Sequence, residues 1–355
     1  MAVAALLCCG LSATFAQAPR RDMTIADTDR KQVIDTLTHE LNDRYIYPEV
    51  AKKVDADLHG RLQRGEYAKI ASAETFARTL TDQMREIAHD GHLHVEYSER
   101  PVPTEHRDGK PTPEEMAAMS AEARYFNFGI EKVERLRGNV GYLELRNFPP
   151  PALAGDTIAA AMTLLANTDA LIIDLRRNTG GVPETVALTL SYLFDERTHL
   201  NDIYSRPDNS TEQYWTTEHV TGTKYGQKKD VYVLTSHRTF SGGEEFCNDL
   251  KALKRATLVG ETTGGGAHPG DMYRLADHFA AFIPVGRPIN PVTHGDWEGT
   301  GVAPDVAVEA DKALGVAQVI ALQKLLAKTT DEDQRDDIQH RLAALDKEGY
   351  KAPQR

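Results

Sequence analysis

Residues 231–246 read VYVLTSHRTFSGGEEF. The opening VYVLTS is a continuous apolar run of strand formers, the pattern of a strand buried on both faces. The stretch GGEEFCNDLKALK, from Gly242 on, reads as a helix. A strand therefore ends near His237, a helix starts at about Gly242, and Ser241 stands at the corner between them. Serine followed three positions later by glutamate is a capping box, so helix capping alone accounts for Ser241 and Glu244. The same corner also suits a nucleophile. It is held at the end of a sheet, and the first helix amides point outward, unsatisfied, at the positive end of the dipole. Such amides are what an oxyanion needs, and Gly242 lets a carbonyl approach the backbone. Neither G-x-S-x-G nor S-x-x-K surrounds Ser241, so a nucleophilic serine requires a base from elsewhere in the chain.

A second corner has the same design. ALIIDLRRNTGG (170–181) runs from a buried strand into Asn178-Thr179-Gly180-Gly181, and PETVALTL follows as a helix. A βα turn in which glycine supplies a positive φ explains it without further role. Two such corners at the carboxyl ends of central strands lie side by side, where ligands bind in open α/β sheets. NVGYLELRNF (139–148) and ATLVGE (256–261) add strands, and TIAAAMTLLAN and PETVALTLSYLF add helices. Strands alternating with helices predict an α/β domain with a largely parallel sheet. Ahead of it, Val33, Leu37, Leu41 and Tyr45, then Val50, Val54 and Leu58, then Phe76, Leu80, Met84 and Ile87 recur at helical spacing. They predict a small helical bundle over residues 25–90. Residues 100–125 read as a loop or cover ending in a helix. Residues 311–346 return to helix, with Leu314, Val319, Leu322 and Leu325 as the apolar set.

The chain has 355 residues, enough for one large domain and a small one. Its net charge of -12 argues against a nucleic-acid partner, which needs a basic surface, and gives no support for docking on anionic lipid. Residues 1–18 form an apolar, small-residue run ending in Ala16-Gln17-Ala18, which resembles a secretory signal peptide without the usual basic start. The expected destination is the periplasm or the exterior, with a lipoprotein acylated at Cys8 or Cys9 as the alternative. Beyond that run only Cys247 remains, so no intrachain disulfide is expected, and Cys247 reads as a small buried apolar residue.

Two stretches offer partners for Ser241. IAHDGHLHVEY (87–97) carries His89, His92 and His94. No cysteine or carboxylate set with zinc spacing accompanies them, so no metal is expected. Each is a core or solvated histidine unless one serves as general base, and the stretch lies where the helical bundle passes into the main domain. DWEGTGVAPDVAVE (296–309) carries Glu298, either an exposed loop glutamate or the carboxylate that orients such a histidine.

In series, DGHLHV, DLRRNTGG, TFSGGEEF, VGETTGGGA and GTGVAPDVAVE resemble the tail-specific (C-terminal-processing) serine protease family. The branch is the one similar to interphotoreceptor retinoid-binding protein and tricorn protease core domains. The resemblance spans residues 30–330 and implies an α/β, crotonase/ClpP-like ββα spiral core behind an N-terminal helical bundle. The implied organisation is a leader (1–18), a helical bundle (25–90), a catalytic core (91–330) and a C-terminal helix and tail (331–355). Processing enzymes of the family pair the serine with a lysine in the VGE stretch, where this chain has Gly266. The tricorn-like arrangement of serine, histidine and glutamate matches Ser241, His92 and Glu298, with Gly242 and Gly180 matching the oxyanion amides. The stretch between His92 and Phe126 is too short for the PDZ module of the processing enzymes. The resemblance implies a peptide or protein substrate and no cofactor. Its retinoid-binding members leave a second expectation open, a non-catalytic binder of an apolar ligand or peptide. A crotonase-like thioester reaction is a third, opposed by the leader, since coenzyme A is cytoplasmic.

Overall fold

The computed structural model describes residues 22–103 and 112–352. The expected leader, with Cys8 and Cys9, and part of the expected cover therefore lie outside the described residues. The chain divides into two compact units: Met1–Pro113, Ile203–Glu212 and His268–Pro288 form the first, and Glu114–Asp202, Gln213–Ala267 and Ile289–Arg355 the second.

The first unit opens with three helices, α1 (Asp27–Arg44), α2 (Pro48–Gln63) and α3 (Ala73–Ala88). Proline at the start of α2 costs no hydrogen bond there, and the Ser72 side chain caps α3 by accepting from Thr75 N–H at 2.9 Å. The helical stripes are buried as their spacing dictates: Val33, Leu37 and Leu41, then Val54 and Leu58, then Phe76, Leu80 and Met84. α3 ends at His89, whose φ of 53° is left-handed and turns the chain into Asp90-Gly91-His92 and β1 (His94–Tyr97). β1 pairs antiparallel with β10 (Phe279–Pro284), and β10 with β9 (Gly270–Ala276). Tyr273, Leu275, Phe279, Ala281 and Ile283 from this hairpin join the helical stripes in one core, where Phe76 meets Phe279 edge to face at 6.2 Å. The bundle expected from the sequence thus packs on a three-stranded sheet.

The second unit contains α4 (Pro113–Tyr125), β2 (Ile130–Leu136), β3 (Val140–Leu145), α5 (Pro151–Leu165), β4 (Ala170–Asp174) and α6 (Pro183–Ser191). After β5 (His199–Ser205) and β6 (Ser210–Trp215), parts of which fall in the first unit, come β7 (Asp230–Thr235), α7 (Gly242–Ala252) and β8 (Thr257–Gly260). After β11 (Gly286–Ile289) come β12 (Val306–Ala307), α8 (Ala313–Lys328) and α9 (Glu332–Lys347). Its main sheet has the order β12-β8-β7-β4-β3-β2, parallel except for edge strand β2. All five residues of β4 are buried. Successive strand side chains point to opposite faces. Leu171 and Ile173 enter the cluster with α5, α6 and α7, while Ala170 and Ile172 enter the cluster with α8 and α9. The unit is therefore a three-layer α/β sandwich, as the continuous apolar strands predict. The helical run expected over 311–346 is two helices, because Asp331 caps a new one by accepting from Gln334 N–H at 3.0 Å. No helix among the described residues is long and apolar enough to cross a membrane.

Ile172 is fully buried at the centre of the sheet. Ile172→Ala is expected to destabilise the protein by about 2–5 kcal/mol, through lost transfer energy and a residual cavity. Chemical denaturation checks this, and a midpoint equal to the parent's contradicts it.

Candidate active site

Beyond the carboxyl ends of β4, β7 and β8, three loops of the second unit are stitched together. Asn178 does much of the stitching. Its carbonyl accepts from Phe240 N–H at 3.0 Å, its Nδ2 donates to the Leu145 carbonyl at 3.2 Å, and its Oδ1 accepts from Gly180 N–H at 2.8 Å. Thr239 Oγ1 donates to the Leu175 carbonyl at 2.8 Å, and the Thr239 carbonyl accepts from Gly264 N–H at 2.9 Å. At the base of the glycine corner, the Arg176 guanidinium pairs with buried Asp174 at 2.6 Å, and Tyr142 Oη donates to the same carboxylate at 2.7 Å.

Ser241 sits on this scaffold with φ 52° and ψ −123°, a conformation sparsely populated by any residue but glycine. The helix does not draw on its hydroxyl, since the Ser241 side chain makes no capping hydrogen bond. The Ser241 carbonyl accepts instead from Glu244 N–H (2.8 Å) and Glu245 N–H (3.0 Å), and the Glu244 carboxylate accepts from Ser241 N–H at 3.0 Å. The serine is thus fixed through its backbone, with the side chain left to other work. Gly242 N–H, first in the helix, makes no hydrogen bond among the described residues.

The glycine corner presses directly on Ser241. A Cβ on Gly180 would stand 2.6 Å from Ser241 Cβ and 2.8 Å from Gly242 N, and the Gly180 φ is +97°. The Gly180 N–H named from the sequence is engaged by Asn178. The Gly180 carbonyl and Val182 N–H both pair with Phe148, at 2.8 and 2.9 Å. Gly181 N–H, between them, faces the other way, and a Cβ on Gly242 would lie 3.1 Å from Gly181 N. Gly242 and Gly181 are therefore the two neighbouring amides left open among the described residues.

Glu244 is buried, and its carboxylate gathers four donors. Besides Ser241 N–H, they are Thr263 Oγ1 at 2.5 Å, Gly265 N–H at 2.7 Å and Gly266 N–H at 2.8 Å. Burial pushes its carboxyl up to about 7 against these bonds, which favour the charged form. One residue further on, Ala267 N–H donates to Glu298 Oε2 at 2.6 Å. Trp297 Nε1 donates to the Gly266 carbonyl at 2.8 Å, and Gly299 N–H to the Gly265 carbonyl at 2.9 Å, so the 296–301 loop lies on the 263–267 loop. Glu298 is thereby tied through consecutive amides to the carboxylate that holds Ser241. Two more acids are buried on α7, Glu245 and Asp249, where Asn201 Nδ2 reaches Glu245 and Asn290 Nδ2 reaches Asp249, each at 3.5 Å. Burial pushes both carboxyls upward, helped by the charge of Glu184 on the first and of Glu245 on the second.

His92 belongs to the first unit. Its ring stacks on Phe282 at 5.8 Å, and its N–H donates to Asp90 Oδ1 at 3.0 Å. Burial holds its imidazole down at about 4, a shift partly opposed by the Asp90 charge. His94, the cross-strand partner of Phe282, also stacks on its ring, at 5.7 Å, and bonds Glu96. Asp90 itself is buried, and its Oδ2 is 2.8 Å from His268 Nδ1. The structure therefore gathers Ser241, Gly242, Gly180 and Glu298 in the second unit and places His92 in the first. Sequence reasoning gave Asn178 only as part of the glycine corner and passed over His268 and the anchoring side of Glu244. Only Glu244 had a signal, the S-x-x-E spacing; His268 meets Asp90 across 178 residues of chain.

A strained serine beside open backbone amides, at the ends of parallel strands, is an arrangement suited to acyl transfer. Comparison with known proteins makes this specific. Residues 139–308 match the pattern described as Peptidase family S41, and residues 25–131 match the N-terminal domain of Peptidase_S41 in eukaryotic IRBP. The chain belongs to peptidase family S41, a family of serine peptidases. It is 29% identical over 181 residues to carboxyl-terminal-processing peptidase 1, chloroplastic, of Arabidopsis thaliana, covering 50% of this chain and 35% of that one. The chain spans about a third of the length of the curated relatives it matches. Among solved structures, mature CPAF shares the fold with a TM-score of 0.58 at 13% identity, over 86% of this chain and 99% of that one. The tricorn protease gives 0.53 at 15%, over 90% of this chain and 37% of that one. The fold is thus the mixed α/β fold of the family with an N-terminal helical region.

Two outcomes follow. Gly180→Ala is expected to displace the corner and destabilise the protein by about 1–3 kcal/mol, because a Cβ there meets Ser241 at a positive φ. A denaturation midpoint equal to the parent's contradicts this. Glu245 carries a raised folded pKa, so it stabilises the protein fully below the ordinary glutamate value of about 4.3 and less as pH rises through its folded value. Thermal unfolding of Glu245→Gln is therefore expected to decline less between mildly acidic and mildly alkaline pH than that of the parent. Parallel curves for the two proteins contradict the assignment.

Proposed function

We propose that this chain is an exported serine peptidase that cleaves peptides or protein tails through Ser241, His92 and Glu298. The observation that carries the proposal is the state of Ser241: strained, anchored only through its backbone, and flanked by the open Gly242 and Gly181 amides. Ser241 Oγ attacks the scissile carbonyl while His92 accepts its proton, and His92 returns that proton to the leaving amine. Glu298 orients the imidazole and balances the charge it acquires. The developing oxyanion lies against the helix N-terminus, where Gly242 N–H and Gly181 N–H donate to it. Gly266 supports a histidine base over a lysine base. Its position carries lysine in the related dyad, and here its backbone N–H is bound by Glu244. The low basicity of His92 keeps it neutral, and so able to accept a proton, at neutral pH. The relative from Arabidopsis thaliana, named for carboxyl-terminal processing, supports chain termini as the substrate class.

The test is Ser241→Ala beside the parent, read by fluorophosphonate labelling and by hydrolysis of a peptide mixture. The parent is expected to label and to cleave, and the variant to do neither while unfolding at the parent's temperature. Absence of labelling in the folded parent, with an apolar molecule carried through purification, would instead support a binding protein on the same fold.

A further inference from the structure

Asp90 has a richer environment than a turn residue needs. Its Oδ1 accepts His92 N–H at 3.0 Å, closing a tight turn over Gly91. Its Oδ2 takes two further groups, His268 Nδ1 at 2.8 Å and Tyr45 Oη at 3.2 Å. Both Asp90 and His268 are buried, at 2% and 1% exposure. On its far side His268 Nε2 lies 3.3 Å from Tyr47 Oη, and the two rings meet edge to face at 5.3 Å. The carboxylate is thus gripped by the end of α1 through Tyr45 and by the segment entering β9 through His268, and its remaining oxygen sets the backbone of His92. A turn made only to reverse the chain has no use for a buried histidine held in register by a tyrosine. A buried carboxylate is costly without partners, and these supply them.

Resting on the peptidase reading above, we infer that Asp90, locked by His268, is the positioning residue for His92. It fixes the His92 backbone, and its charge supports the imidazolium that forms when His92 takes the serine proton. His268 acts through Asp90. The charged and titratable groups around His92 are Asp90 on the same turn, His268 from the segment before β9, His94 on β1 and Arg85 on α3. Within this set Asp90 favours the imidazolium and the other three oppose it, while the peptidase reading adds the Glu298 carboxylate as a second anion on the imidazole.

The signs separate this role from a structural one. Asp90→Asn keeps the turn-forming oxygen and removes the charge, so the His92 titration midpoint is expected to fall. His268→Asn removes a group that opposes the imidazolium, so the midpoint is expected to rise. Both are read by imidazole nuclear magnetic resonance on histidine-labelled protein, with His92 assigned from a His92→Gln sample. In peptide hydrolysis, Asp90→Asn is expected to lose roughly 100-fold in kcat with KM unchanged, and His268→Asn to lose less. Midpoints that do not move, or kcat equal to the parent's in a folded Asp90→Asn protein, overturn the inference. If Asp90→Asn does not fold, Asp90→Ser, which keeps a turn-forming oxygen without the charge, decides by the same readouts: a lowered His92 midpoint supports the inference and an unchanged one refutes it. A parent that neither labels nor cleaves refutes the peptidase reading instead, and the two midpoints still decide whether Asp90 governs His92.

Discussion

The second unit is arranged around one buried carboxylate. Glu244 takes hydrogen bonds from Ser241 N–H, Thr263 Oγ1, Gly265 N–H and Gly266 N–H. Each donor is a group that the loops otherwise leave stranded, and together they offset the desolvation of an ionised side chain. The cost of losing one is correspondingly high, because the remaining groups stay buried. Ser241 owes its unusual backbone angles to this arrangement, since a positive φ at a non-glycine residue persists only where the surroundings over-determine it. The loop that carries Gly265 and Gly266 owes its place to the same carboxylate, and the loop that carries Glu298 rests on that one.

Much of this was legible in the sequence. Continuous apolar strands such as ALIID announced a sheet buried on both faces, and the two clusters that receive alternate residues of β4 bear this out. The helix start at Gly242 followed from the S-x-x-E spacing, although the capping works through the carboxylate of Glu244 and the carbonyl of Ser241, while the hydroxyl takes no part. Family membership was legible because five short motifs in fixed order constrain more than any one of them.

What stayed hidden was set by distance along the chain. Nothing local to GGGAHPG marks His268 as the partner of Asp90, because that pairing depends on the fold bringing together residues far apart in sequence. The choice among adjacent glycine amides was equally opaque. Gly180 and Gly181 are identical residues, and only the pairing of Phe148 with Gly180 and Val182 determines which N–H is turned toward Gly242. The hairpin of β9 and β10 carries no motif, and its membership in the core of α1, α2 and α3 is visible only in three dimensions.

That hairpin has a consequence for how the protein comes into being. The first unit closes its core with Phe279, Ala281 and Ile283, which lie almost two hundred residues beyond the helices they cover. During synthesis the amphipathic helices emerge first and must wait, with Phe76, Leu80 and their neighbours without that cover, while most of the second unit's sheet is made. These helices are therefore synthesised before the second unit's sheet and completed only after most of it.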